Sequence, residues 1–174
     1  MNLQLGKLIL QLSFFISISS ITSTYSMAST CGHEEGSFKC VEFVRNLDGD
    51  TFVGDIPGVH NFFGSDIGIR VRGINTGEVR NYSGKTKCEH EMAILAKAEL
   101  SRMLERANVI ELRETERGKY FRVLADVYIN RRSVAKHMLK KSLAVEYDGG
   151  YKGGTDWCKL KREAEKKYIE ENSL

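Results

Sequence analysis

The 174-residue sequence contains a single proline and a single tryptophan, and no two of its four cysteines stand at C-x-x-C spacing. That excludes the usual structural zinc sites, which are built from closely spaced thiolate pairs. Charge is equally sparse as a clue. The chain has 26 Lys and Arg against 23 Asp and Glu, and one of the basic residues, Lys7, lies in the first 28. Bulk electrostatics therefore names no partner, and a nucleic-acid reading must rest on local arrangement. No internal repeat is present, and the only low-complexity stretch is the glycine-rich run DGGYKGG. Histidines are few and scattered. His60-Asn61 hints at a histidine-metal nuclease, yet no second histidine stands at a usable spacing, so His33, His60, His90 and His137 read as surface or core residues.

Long apolar runs are also missing. Leu8 to Ile21 is mostly apolar but broken by Gln11 and serines, and is too short to cross a bilayer comfortably. Lys7 precedes it, and Ser26-Met27-Ala28 follows with small residues at the positions a signal peptidase reads. Residues 1–28 thus read as a secretory signal peptide; the serines argue against an uncleaved anchor. Residues 29–174 remain as one domain, enough to bury roughly two-thirds of the unfolded surface. The product is expected to be exported, periplasmic or secreted, and monomeric. An even number of cysteines in an exported chain argues for disulfides, with three connectivities open. Cys31–Cys40 with Cys88–Cys158 is favoured, the first because a short loop closes easily. A lipidated Cys31 is the rival, although Ala28 and Thr30 fit a lipobox poorly.

Cys40 to Arg45 and Thr51 to Ile56 are β-rich runs joined by NLDGD, whose Asp-Gly pair signals a tight turn. PGVHNFFGSD reads as an extended hairpin loop. Ile67 to Ile74 is a third strand, with Ile67, Ile69 and Val71 on one face and Arg70 and Arg72 on the other. From Glu89 to Arg106, Met92, Leu95, Ala96, Leu100, Met103 and Leu104 form one helical stripe. Val109 to Arg113 and Tyr120 to Ile129 predict a hairpin turning at Gly118. A short helix over Ser133 to Lys141, an extended piece over Leu143 to Tyr147 and a last helix from Asp156 or Trp157 to about Glu171 complete the chain. The order predicts a small mixed barrel rather than a parallel βαβ sheet. In the last helix, lysines interleaved with glutamates read as a solvated, salt-bridged face, and Trp157 as its anchor. Asn81-Tyr82-Ser83 fits a glycosylation sequon, a triplet common by chance.

Three segments stand out: LDGDT (47–51), IRVRGINTGE (69–78) and GKYFRVLADV (118–127). Jointly they offer what a phosphodiesterase needs: oxygen ligands for a hard cation, cations that clamp phosphate, and a carboxylate to position or deprotonate water. Asp50 offers a carboxylate, and Asn75-Thr76 amide and backbone oxygens. Arg70 and Arg122 carry the fork that matches two phosphate oxygens. Glu78 is the natural base. Singly, each piece reads more simply as a hairpin turn, a solvated arginine or a surface carboxylate.

In the order D-G-D-T, R-x-x-x-x-(D/N)-T-x-E and K-Y-x-R-x-L-A, the segments resemble the staphylococcal nuclease (thermonuclease) family over about residues 38–170. With its signal-like leader and extended DIPGVH loop, the chain looks most like the exported bacterial branch. The resemblance implies a five-stranded OB-type barrel with three helices, α+β and mainly β. It also implies calcium-dependent cleavage of DNA and RNA leaving 3′-phosphate ends. On this resemblance Asp50, Asn75 and the Thr76 carbonyl hold Ca2+ and Asp48 shapes or charges the pocket. Arg70 and Arg122 bind phosphate, Glu78 is the general base, and Lys119 and Tyr147 lie near the substrate. Two positions depart from the family pattern. Asn75 stands where a second calcium-ligating Asp is usual, and Gly77 where Pro is usual. The first should weaken the metal site and the second loosen the bend that carries Glu78. The alternative reading is a catalytically silent OB-fold module that binds nucleic acid or protein.

Overall fold

Local patterning places the strands, and one sheet collects them. In the computed structural model, which describes residues 31–80 and 85–173, β1 (Glu42–Asn46) and β2 (Thr51–Asp55) pair antiparallel about the Asp48-Gly49-Asp50 turn. The single-turn helix α1 (Asn61–Gly64) leads to β3 (Ile67–Val71), and a turn at Gly73 to β4 (Ile74–Asn75). The long helix α2 (Lys87–Glu105) precedes the hairpin of β5 (Ile110–Arg117) and β6 (Val123–Ile129). Then come β7 (Arg132–Ser133), α3 (Val134–Lys140), β8 (Val145–Glu146) and α4 (Trp157–Asn172).

The main sheet runs β1-β2-β3-β6-β5, with β7 appended to β6. β3 and β6 are parallel, with Arg70 beside Leu124. Phe38 and Leu112 exchange backbone hydrogen bonds and the Val41 N–H donates to the Ile110 carbonyl, so the segment leading into β1 curls onto β5. This is the expected OB-type α+β arrangement, with four helices rather than three. The two-stranded pair of β4 and β8 sits apart from the main sheet and holds the Asn75 bend against the chain beyond α3.

The core lies between the sheet and α2. Phe52, Ile69, Ile74, Met92, Leu100, Leu112 and Met138 are fully buried, each large aliphatic or aromatic side chain contributing about 1.5–3 kcal/mol. Helix α2 buries Met92, Ala93, Ala96, Leu100 and Leu104. Leu95, expected in that stripe, is exposed; Ala93 takes the inward place. Thr86 caps α2 by accepting from the Glu89 N–H, Ser133 caps α3 and Asp156 caps α4.

Three other expectations change. The loop 57–66 contains α1 because the His60 ring accepts from the Phe62 N–H and nucleates a turn. The third strand ends at Val71 rather than Ile74, where the Gly73 turn re-aims the chain. Strand β5 continues to Arg117 while β6 begins only at Val123, because residues 119–121 form a 3-10 turn with Tyr120 and Phe121 in the left-handed region. Both disulfides pair as favoured, Cys31–Cys40 and Cys88–Cys158. Trp157 is buried, and α4 carries the ion pairs Lys161–Glu91 and Lys166–Glu170. The expected signal segment 1–28 and the Asn81-Tyr82-Ser83 triplet lie outside the described residues. Among the described residues no helix is long and apolar enough to cross a membrane.

Candidate active site

The Asp48-Gly49-Asp50 turn and the Asn75-Thr76-Gly77 bend are brought together because both press against α2 through glycines. A Cβ on Gly49 would stand 2.5 Å from the Ala96 Cβ and 2.9 Å from the Thr76 side chain. A Cβ on Gly77 would stand 2.5 Å from the Glu89 carbonyl oxygen. Gly77 therefore lets the bend seat on the helix, which corrects the expectation that it only loosens the loop. Proline in its place would clash there.

Where the two turns meet, Asp50 is buried and fully engaged. Its Oδ2 accepts from the Thr76 N–H at 2.9 Å and the Thr76 hydroxyl at 3.2 Å. Its Oδ1 accepts from the Thr51 hydroxyl at 3.0 Å and lies 2.8 Å from Nη1 of Arg70. Arg70 also donates from Nη1 to the Asp50 and Val71 carbonyls and from Nη2 to the Ile74 carbonyl at 2.8 Å. It is only 8% exposed, so Arg70, which the strand pattern places on the face away from Ile69 and Val71, is a buried tie between three chain segments. Among the described residues no side-chain or backbone acceptor is seen for its Nε–H and one Nη2–H. Leaving either member of such a buried ion pair alone is strongly destabilising.

Asp48 accepts from the Asp50 N–H through Oδ1 at 3.0 Å. Burial, and then the neighbouring Asp50 charge, push its carboxyl up to about 7. Asn75 is buried, and its Oδ1 has no hydrogen-bond partner within the protein. A buried carbonyl oxygen without a donor, in the bend whose Thr76 N–H is bonded to the Asp50 carboxylate, is a ligand that suits a hard cation. Among the described residues no three His, Cys, Asp or Glu side chains converge as a metal-ligand group. A cation here would depend on the Asn75 amide and Thr76 carbonyl oxygens as well as on Asp50. The Asn75 and Thr76 oxygens suit calcium, which would have to displace a donor from the fully engaged Asp50 and would meet less ligand charge than two aspartates give.

The other half of the site is open. Glu78 is 40% exposed and 3.1 Å from Nζ of Lys152. Burial pushes its carboxyl up, but the Lys152 hydrogen bond and charge, with Lys85 and Arg70 behind them, more than reverse this and leave it below the usual range. Lys152 is the residue that sequence reasoning missed. It sits in the glycine-rich stretch, where the one signal was a lysine flanked by glycines. Its Nζ also stands 5.8 Å from the Tyr147 ring, and the Tyr147 hydroxyl donates to the Gly150 carbonyl. Tyr147 is thus tied to the Glu78 side through Lys152.

Arg122 is half-buried, its stem laid on β3: a Cβ on Gly68 would stand 2.9 Å from its Cγ. Gly68 and Arg70 are two residues apart on one strand and share a face, so the Arg122 stem lies on the face from which Arg70 projects. The Arg122 Nε–H donates to the Lys119 carbonyl at 3.3 Å. Lys119 itself is exposed and meets the site only through that carbonyl.

The family described as staphylococcal nuclease homologue matches residues 68–170, a span that takes in Arg70, Asn75, Thr76, Glu78 and Arg122 and begins after Asp48 and Asp50. No curated protein matches the chain. With more than half of its length matched and the curled sheet in place, the chain belongs to the staphylococcal nuclease homologue family.

Proposed function

We propose that the protein is an exported, monomeric endonuclease of the bacterial type that hydrolyses phosphodiester bonds in DNA, RNA or both with calcium. Residues 1–28 would be its export signal and 29–174 its single domain. The observation that carries this reading is the corner where Asp50, Arg70, Asn75 and Thr76 are buried together with one amide oxygen left unpartnered, flanked by Glu78 and Arg122.

Asp50, the Asn75 amide oxygen and the Thr76 carbonyl would hold calcium, with Asp48 adding negative charge to the pocket. Bound there, calcium supplies Lewis-acid polarisation of a phosphoryl oxygen. The remaining chemistry belongs to the chain. Glu78 is ionised at neutral pH because Lys152, Lys85 and Arg70 outweigh its burial, so it can accept a proton from the attacking water. Lys152 holds the carboxylate in the meantime and must yield part of that contact when a phosphate arrives. Arg122, half-buried on Gly68, and the spare N–H groups of Arg70 face the phosphate and neutralise the charge that builds up on it. As the water oxygen bonds to phosphorus, the bond to the 5′ oxygen breaks and that oxygen takes a proton, leaving a 3′-phosphate.

The test is cleavage of denatured DNA by the purified chain 29–174, titrated with calcium from micromolar to tens of millimolar, beside Glu78→Gln. Calcium-dependent cleavage that collapses in the variant is the expected result. Asn75 in place of an aspartate, together with the Lys152–Glu78 contact, favours a second reading, a silent OB-fold binding module. Folded, oxidised protein that cleaves at no calcium level would install that reading instead.

A further inference from the structure

Beyond the phosphate corner, the other end of the sheet carries exposed aromatic rings on ordered backbone. Phe62 and Phe63 are 71% and 54% exposed, and Tyr120 and Phe121 are 87% and 53% exposed. These rings stand on fixed supports. The α1 turn is tied by the Phe63 and Gly64 N–H groups donating to the His60 carbonyl, and by the Ile56 N–H donating to the Gly64 carbonyl at 2.7 Å. The 119–121 turn is closed by the Gly118 N–H donating to the Arg122 carbonyl at 2.7 Å. It holds two successive bulky residues at φ of 58° and 60°, an uncommon conformation for either.

Between the two turns lies a groove of about 370 Å³ whose walls are Phe38, Ile56, Val59, Phe63, Phe121 and Val123. Phe62 packs edge-on against Phe63, with ring centroids 4.9 Å apart, and so props it toward the groove. Among the described residues the one cation on the rim is Arg117, whose guanidinium lies 4.1 Å from the Phe121 ring centroid; just outside it, that of Arg122 lies 5.5 Å from the Tyr120 ring. Glu116 is the acidic residue at the rim, and it is paired with Arg72 at 2.8 Å.

The groove also adjoins the phosphate corner. Phe121 and Val123, which line it, flank Arg122 in the chain, and Ile67 at its base precedes Gly68, on which Arg122 rests. From Ile67 to Arg70 along β3 is about 10 Å, well inside the roughly 4–16 nucleotides that an OB barrel covers.

We infer that this groove is a base-stacking subsite for single-stranded nucleic acid, in which Phe63 and Phe121 take an unpaired base and Arg117 meets the neighbouring phosphate. The inference rests on the reading of Arg122 as a phosphate contact, and it deepens that reading by assigning a base contact to the neighbouring groove. Rings and guanidinium groups together suit a strand that alternates flat bases with anions. An aliphatic protein segment would have no use for the arginines, and a base locked in a duplex cannot enter the groove.

The test is fluorescence anisotropy without calcium, using labelled oligothymidylate of 12 nucleotides, the dinucleotide and a 12-base-pair duplex, on the chain and on Phe121→Leu, Phe121→Trp and Phe63→Ala/Phe121→Ala. Leucine keeps apolar bulk and loses the ring; tryptophan keeps the ring. The parent should bind the 12-mer at least about tenfold more tightly than the duplex. Phe121→Leu and the double variant should weaken 12-mer binding by about 10- to 100-fold. Phe121→Trp should hold it within about threefold, and dinucleotide binding should stay unchanged throughout. Equal behaviour of leucine and tryptophan, or equal loss on dinucleotide and 12-mer, overturns the subsite. So does a groove that takes a protein segment or a lipid vesicle and no oligonucleotide. The nuclease reading fails separately: ring-dependent 12-mer binding by a chain that cleaves nothing at any calcium level leaves the subsite standing and removes the activity.

Discussion

The buried and open halves of the candidate site are held by different means. Around Asp50 every oxygen is engaged by backbone or a buried arginine, and both turns are seated on α2 through glycines. Around Glu78 one exposed carboxylate meets one exposed lysine from a glycine-rich stretch. Folding itself fixes the first half before any ligand arrives, as preorganised charge stabilisation requires. The second half is free to change partners, as a group that must exchange a lysine for water and phosphate has to do. A substitution in the first half should therefore be read mainly in stability, and one in the second mainly in rate and pH.

The largest effect should come from Asp50→Ala, which strands the buried Arg70 guanidinium. A loss of about 3–5 kcal/mol is expected, seen as a fall in Tm on the order of 10 °C, with cleavage abolished. A stable, active Asp50→Ala protein would erase the distinction between the halves. Next, Arg122→Ala should lower kcat/KM by about 10²-fold or more with Tm almost unmoved; near-normal activity would remove Arg122 from the mechanism.

Asn75→Asp sharpens the comparison from the other side. A third carboxylate beside Asp48 and Asp50 should lower Tm without calcium. In return, the calcium midpoint for cleavage should fall about tenfold or more, the equivalent of one to a few kcal/mol at an effective dielectric near ~20. A midpoint that does not move would mean that Asn75 is not a ligand position. The smallest change is expected from Lys152→Ala. The pair is exposed, so stability should shift by no more than about 0.5 kcal/mol. Glu78 acts when ionised, so activity is present above its pKa and lost as pH falls through it. Because Lys152 helps to hold that value below the usual range, its removal should move the acid limb of the kcat/KM profile to higher pH. An unmoved limb would separate Glu78 from the base.

Much of this was legible in the chain because it follows from short-range patterns. The alternation of Ile67, Ile69 and Val71, the apolar stripe of α2 and the Asp-Gly turn are all local, and they place the three polar segments without tertiary information. The burial of Arg70 was not legible, because its alternation with Ile69 and Val71 says only that it faces away from them. The β4 bend and the Asp48-Asp50 turn then cover that second face. Gly77 was misread because glycine announces freedom, while the reason for it here is a helix carbonyl contributed from twelve residues further on. Lys152 was missed because its contact with Glu78 spans 74 residues through a stretch with no periodicity to register it. The paired left-handed residues Tyr120 and Phe121 break a strand pattern that the sequence carries without interruption.

The Cys88–Cys158 bridge has a consequence for how the molecule ages. It joins the first turn of α2 to the first turn of α4, so the exposed glycine-rich stretch that carries Lys152 lies within the closed loop. A protease cut in that stretch, the sort of exposed segment where nicking concentrates, would release the Lys152 strap and leave the C-terminal helix covalently attached. The nicked protein would travel as one band on a gel until a reductant split it into two.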